Sequence, residues 1–294
     1  MNPDCYRDFF LLKMQKILNY IFAKTIGLYI NFLSYIVPDK ALVLAYGYFS
    51  EPRDGKLIPE KLPQILKEAT LEIINHNNHY FQTYTWQGND HKILLVHGWE
   101  SNASRWEKLL PLLKKSGSTI IAIDGPGHGL SSGKEFDVPT YASFIHAISE
   151  IKKPNFIIGH SMGGVACTYY QHYYKQDHLE KMILLGSPSD FKVLMQNYVN
   201  MLGLNAKVDQ LLKKYIKQRF DVNTEDFSGK NFLQNTTMSG MIIHDIHDPV
   251  VAFTEGKKLA SSWQTATFLE TKNLGHSMHD DQLYENMYRF LFEA

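Results

Sequence analysis

One serine stands out for its surroundings. Ser161 lies in Gly159-His160-Ser161-Met162-Gly163-Gly164, directly after the apolar run Asn155–Ile158 and at the head of a helical stretch. A serine at the apex of a tight strand-to-helix turn has strained backbone angles. The residues two before and two after it must therefore lack bulky side chains, and both are glycine here. Such a turn presents Oγ at the edge of the sheet, and the helix N-terminus behind it favours negative charge developing nearby. The chemistry this suits is attack of an activated hydroxyl on an acyl carbon.

Acyl transfer also needs donors aimed at the developing oxyanion. Leu94-Leu95-Val96-His97-Gly98-Trp99-Glu100 ends an apolar strand in His-Gly and opens a loop. The expected donors are the backbone N–H of Trp99 and that of Met162, the residue after the nucleophile. Trp99 also offers a wall for an acyl pocket. His97 is read as an imidazole that holds this loop rather than as a proton carrier. Asp124-Gly125-Pro126-Gly127-His128-Gly129-Leu130-Ser131 follows the strand Ser118–Ile123. It has neither the GxGxxG nor the GK[ST] ending that a phosphate-binding loop requires, so it is read as structural.

Together the three stretches resemble the α/β-hydrolase superfamily, in which HG, D-x-x-G-H-G-x-S and GHSMGG recur in this order. The hexapeptide is similar to that of monoglyceride lipases, carboxylesterases and related acyl-hydrolases. The resemblance covers roughly Tyr80 to Asp190 and resumes at Met241. It implies an α/β fold with a mainly parallel eight-stranded sheet, helices on both faces and a helical cap. It also implies a triad in the order Ser, Asp, His. In the family's pattern the acid immediately precedes Pro-Val, which selects Asp248 within Met241–Val250; Asp245 and Asp190 are the alternatives. The Gly275-His276 pair after a late strand fits the family's base, and selects His276 over His279, which is expected near a helix start and facing solvent. His244 and His247 flank Asp245, but an i, i+3 pair in a turn is weak support for a metal. No metal and no cofactor are expected.

These residues imply a serine hydrolase acting on carboxylic esters of lipid-like or other apolar acyl groups through an acyl-enzyme. A thioesterase, amidase, C–C bond hydrolase or acyltransferase would use the same triad, and a non-catalytic binding protein on the same fold is the rival of another class.

The elements needed to position them are legible as alternation. Lys92–Val96, Ser118–Ile123, Asn155–Ile158, Met182–Leu185 and Met241–Ile243 read as buried strands, with Thr265–Leu269 as one more. Ser104–Lys115, Pro139–Ile151, Met162–Lys175, Val250–Ser262 and Gln282–Phe292 have helical length and period. Near-continuous apolar strands alternating with helices imply a mostly parallel sheet covered on both faces. From Asp190 to about Asn235 helical runs replace strands, which marks a cap over the C-terminal ends of the strands, where ligands bind in open α/β sheets. The expected domains are an N-terminal helical extension and connector, 1–60, and a hydrolase domain, 61–294, carrying a cap at about 190–236.

The bulk numbers narrow the partners. The chain has 294 residues, with 30 Lys and Arg balancing 30 Asp and Glu, so no net field attracts nucleic acid. The partner expected is a small-molecule acyl ester. Two cysteines, Cys5 and Cys167, far apart and without ligand spacing, favour a reducing, cytoplasmic setting. Phe9–Val37 is rich in Leu, Ile, Phe and Tyr, but its longest stretch free of ionisable charge, Thr25–Pro38, is short of the ~20 residues a spanning helix needs. At 100° per residue Lys13, Lys16, Lys24, Gly27, Asn31 and Ser34 form one narrow stripe on an otherwise apolar helix ending before Pro38. The apolar face is expected to pack on the chain's own domain, with peripheral membrane contact as the alternative.

Overall fold

Among the described residues, buried aliphatic strands alternating with helices from Asn89 onward belong to a single sheet of eight strands. In the computed structural model, which describes residues 3–174 and 177–293 and the side chains of all these except 3–13 and 16, the strands are β1 (Thr70–His76), β2 (His79–Trp86), β3 (Asn89–Val96), β4 (Ser118–Ile123), β5 (Phe156–His160), β6 (Lys181–Leu185), β7 (Ser239–Asp245) and β8 (Ala266–Thr271). Their order across the sheet is β1-β2-β4-β3-β5-β6-β7-β8. From β4 to β8 every pairing is parallel; β2 runs antiparallel to both β4 and β1. The central strands β4 and β5 are buried at every position, as a sheet covered on both faces requires.

Periodicity picks no strand between Pro63 and Lys92, yet β1 and β2 lie there. The edge strand β1 is mostly exposed and carries Glu72, Asn75 and His76, so it lacks an apolar run. The pair closes on the two-residue turn Asn77-Asn78, with Asn77 at φ 52°, a left-handed conformation that asparagine tolerates. A second departure concerns the helix expected over Ser104–Lys115. It is a 3-10 turn, Ala103–Lys108, capped by the Asn102 side chain on the Ser104 amide, followed by the short helix Leu110–Lys114. Pro111 near the start of the latter has no N–H to continue a ladder from the preceding turn.

Two compact units divide the chain. The larger takes Ser50–Asp190 and Ser228–Ala294 and contains the sheet. The smaller takes residues up to Phe49 together with Phe191–Phe227, the helical segment inserted between β6 and β7.

Within the smaller unit, the helix Pro3–Ile36 is followed after Val37 by Pro38–Ser50, and both pack with Phe191–Leu202 and Ala206–Phe220. Ile30, Leu33, Ala41, Met195, Leu202 and Val208 belong to its core. The polar stripe of the first helix takes part in this packing, which reverses the expected burial. Gly27 admits the backbone carbonyl of Leu202 where a Cβ would collide. The Lys24 ammonium donates to the Asn200 carbonyl at 2.7 Å, and the Asn31 amide to that of Gly203 at 2.8 Å. Asn31 Oδ1 accepts from the Asn205 amide at 2.8 Å, and Ser34 is fully buried. A helix leaves its last four carbonyls without partners, and the stripe supplies donors at the end of Phe191–Leu202. The apolar remainder of Met14–Ile36 is largely exposed. The side chains of Cys5, Lys13 and Lys16 lie outside the described residues.

Candidate active site

The parallel strands end at one edge, and the residues singled out by type gather there. β5 leads through Ser161 into the helix Met162–Tyr174. Ser161 sits at φ 52°, a strained conformation for a residue with a Cβ, and its amide donates to the Leu185 carbonyl at 2.8 Å. The turn is as tight as its glycines imply. A Cβ on Gly159 would come 2.6 Å from Gly164 Cα, and one on Gly163 would strike the carbonyl oxygens of Val96 and His97.

His276 follows β8 and Asp248 follows β7. His276 Nε2 stands 3.0 Å from Ser161 Oγ, and its Nδ1 stands 2.8 Å from Asp248 Oδ2. With the proton on Nδ1, the ring donates to the carboxylate and accepts from the serine hydroxyl. The Asp248 side chain is wholly buried. Burial alone would raise its pKa, but hydrogen bonds from His276 and from the amides of Val251 and Val250 hold the carboxyl below the ordinary range. The acid is thus kept ionised beside the imidazole.

The other two aspartates are committed elsewhere. Asp190 accepts from Lys258 Nζ at 2.7 Å and from the Ser228 hydroxyl at 2.6 Å. Asp245 accepts from the amides of His247 and Leu274 and from the Thr271 hydroxyl, each at 2.9 Å, and so ties β7 to the chain leaving β8. His279 does not face solvent as expected. It is half-buried, and its Nδ1 is 2.5 Å from the Tyr284 hydroxyl. His244 and His247 point to different partners, the Val251 carbonyl and Asn273 respectively. Among the described residues no group of three or more His, Cys, Asp or Glu is arranged to hold a metal. Cys167 is buried in the helix after Ser161, and burial pushes its thiol pKa well up, which leaves no thiolate nucleophile.

The loop after β3 passes against the serine. A Cβ on Gly98 would lie 2.8 Å from Ser161 Cβ and 3.0 Å from the His160 carbonyl oxygen, so only glycine permits this approach. Trp99 follows it directly, and Met162 is the first residue of a helix whose leading amides have no intrahelical acceptor. Two histidines brace the loop. His97 is fully buried, with Nδ1 2.7 Å from the Gly98 carbonyl and Nε2 accepting from the Gly125 amide at 2.8 Å. His128 accepts from the Glu100 amide at Nε2 and holds the Pro126 carbonyl at Nδ1. Burial is the main cause that lowers their pKa values, to about 4 for His97 and about 3 for His128, so both are neutral struts. Asp124 completes the brace through the amides of Ala103 and Leu130 and the Tyr84 hydroxyl. The glycine-rich loop is therefore a scaffold for the edge.

Three further residues lie around His276, and two of them, His160 and Arg105, act on partners distant in sequence. His160 Nε2 lies 2.9 Å from the His276 carbonyl oxygen, and Arg105 donates to the Ser277 carbonyl at 3.0 Å. His244, from β7, places Nε2 3.7 Å from Asp248 Oδ2 while donating to the Val251 carbonyl at 3.0 Å.

A family profile described as alpha/beta hydrolase fold matches residues 92–206. With the eight-stranded topology, that match identifies the fold. The chain has the α/β-hydrolase fold. It is similar to the human "Serine hydrolase-like protein", with 36% identity over 107 residues, covering 33% of this chain and 49% of that protein. It is also similar to the rat "Monoglyceride lipase", with 26% identity over 192 residues, covering 57% of this chain and 63% of the lipase. Among solved structures, bromoperoxidase from Bacillus anthracis superposes with a TM-score of 0.59 over 76% of this chain and 99% of that one, at 19% identity. The chain spans about a third to a half of the length of the first curated relatives it matches.

Proposed function

We propose that this α/β-hydrolase is a serine esterase for carboxylic esters of apolar, lipid-like acyl groups. The supporting observation is the continuous relay from Asp248 Oδ2 through His276 to Ser161 Oγ, with contacts of 2.8 and 3.0 Å.

Ser161 Oγ attacks the acyl carbon while His276 Nε2 takes its proton. Asp248 fixes the tautomer that leaves Nε2 free to accept and stabilises the imidazolium once formed. The amides of Trp99 and Met162 bind the oxyanion of the tetrahedral intermediate. Collapse breaks the bond to the alkoxide, which leaves with the proton from His276. Water then attacks the acyl-enzyme with His276 again as base, releasing the acid and restoring Ser161. No step calls for a cofactor. The apolar acyl class is supported by the similarity to monoglyceride lipase.

A fluorophosphonate probe tests the nucleophile, and a chain-length series of esters and thioesters tests the substrate class. Mass spectrometry should find the label on Ser161, and turnover should rise with acyl length on esters. Faster turnover of the matched thioesters would make the protein a thioesterase. An unlabelled Ser161 in a folded protein would leave a binding protein on a hydrolase fold.

A further inference from the structure

The reversed burial of the N-terminal helix leaves an unusual surface. At 100° per residue, every position of Met14–Ile36 within an arc of about 140° is apolar except Thr25. The arc includes Ile17, Ile21, Phe22, Leu28, Phe32 and Ile36, all exposed, with Leu28 at 71% and Phe22 at 65%. Thr25 does not interrupt it chemically, because its hydroxyl donates to the Ile21 carbonyl at 2.9 Å. The arc runs about 33 Å at 1.5 Å per residue. Monomeric soluble proteins rarely expose a contiguous apolar surface of such extent without a partner for it.

We propose that this face lies on an anionic lipid surface, with the helix parallel to the membrane plane. Three observations select that occupant. First, among the described residues no helix is long and apolar enough to cross a membrane, and the polar stripe is fixed to the Asn200–Asn205 turn. The helix is therefore suited to lie on a bilayer rather than to span it. Second, a partner helix would cover only a two-in-seven seam. A deformable bilayer covers the whole arc, and the exposed Tyr29 and Tyr35 have the amphipathic rings that sit at headgroup level.

Third, the charge is complementary. No Asp or Glu occurs between Asp8 and Asp39. The smaller unit has eleven Lys and Arg against seven Asp and Glu, whereas the chain as a whole is balanced. Exposed Lys207 holds its ammonium 4.9 Å from the centre of the Tyr35 ring, at the rim of the arc. Basic residues near an anionic surface add to the attraction.

Co-sedimentation of the full chain with phosphatidylcholine vesicles, with and without phosphatidylserine, tests this by binding and not turnover, so it stands or falls separately from the esterase reading. The wild type should sediment with phosphatidylserine vesicles, and the bound fraction should fall several-fold at about 0.5 M salt. Leu28→Glu with Phe32→Glu should reduce binding roughly tenfold at an unchanged melting temperature, because both side chains face outward. Ile17→Glu with Ile21→Glu provides a second pair on the same arc. Wild-type protein that stays in the supernatant, or variants that bind as well as wild type, would overturn the proposal. So would a wild-type dimer that the variants convert to monomer without vesicle binding, which would make a second copy the occupant.

Discussion

The imidazole of His160, one residue before Ser161, holds the main-chain carbonyl of His276 at 2.9 Å. The residue before Ser161 thereby holds the main chain of His276. Burial, then the nearby charges of Arg105 and His276, push the His160 pKa well below its ordinary value, so the ring stays neutral and donates from Nε2. Arg105 grips the next carbonyl along, that of Ser277. The loop carrying His276 is thus fastened on both sides of its Cα.

His160→Ala should therefore lower kcat by up to ~10²-fold through misplacement of the base, with KM little changed. His160→Gln keeps an N–H donor in reach and should recover part of the loss. Equal kinetics for the two variants would show that the tether does not position His276.

Ser161→Ala should abolish ester hydrolysis, with a loss on the order of 10⁶ in turnover as seen when a serine-hydrolase nucleophile is removed. The left-handed backbone at Ser161 is unaffected by losing Oγ, so the melting temperature should hold. A purified, folded variant that keeps a tenth of the activity would remove Ser161 from the mechanism.

The acid is tested by three substitutions compared side by side. Asp248→Asn should reduce turnover by roughly 10⁴, because the amide cannot enforce the Nδ1–H tautomer of His276. Asp245→Asn should act chiefly on stability, by about 1–3 kcal/mol, since Asp245 secures the Leu274 and His247 amides and Thr271. Asp190→Asn breaks a partly exposed contact to Lys258 and should leave kcat near wild type. A larger kinetic loss at Asp245 or Asp190 would move the acid there.

What was legible in the sequence follows from how local each signal is. The turn at Ser161 is specified within six residues, because glycines at 159 and 163 are required by contacts made inside the strand–turn–helix unit and by the adjacent β3 loop. Buried parallel strands announce themselves as apolar runs, so β3 to β8 could be placed to within a few residues. The hairpin β1–β2 escaped because its edge strand is mostly exposed and its apolar residues are interspersed with Glu, Asn, His and Gln. The N-terminal helix misled for a different reason. Its stripe is polar, and polarity usually marks the solvent side, but here Lys24 and Asn31 donate to carbonyls at the end of a helix some 170 residues away, and Ser34 accepts from the Asn205 side chain. His160 and Arg105 likewise act on partners that only the folded sheet edge brings near.

Acid should destabilise the fold earlier than carboxylate titration alone would. His97 and His128 are fully buried and neutral, with pKa values lowered mainly by burial to about 4 and about 3. In the unfolded chain each returns to about 6.5. Below pH 6.5 the unfolded state therefore binds protons that the folded state refuses, and stability falls as pH drops towards the folded values. Relative to pH 7.5, each histidine should cost about 2 kcal/mol at pH 5. Asp248 adds a second phase at lower pH. Its folded pKa is depressed, so its contribution is complete above the unfolded value near 4 and is lost as pH falls through the folded one. Urea denaturation at pH 7.5, 6 and 5 reads the first phase directly. The midpoint should drop between 7.5 and 5, and Phe in place of His128 should flatten the curve while lowering its plateau, since the Glu100 amide and the Pro126 carbonyl lose their partner. A midpoint unchanged between pH 7.5 and 5 would show that these histidines take up protons in the folded protein.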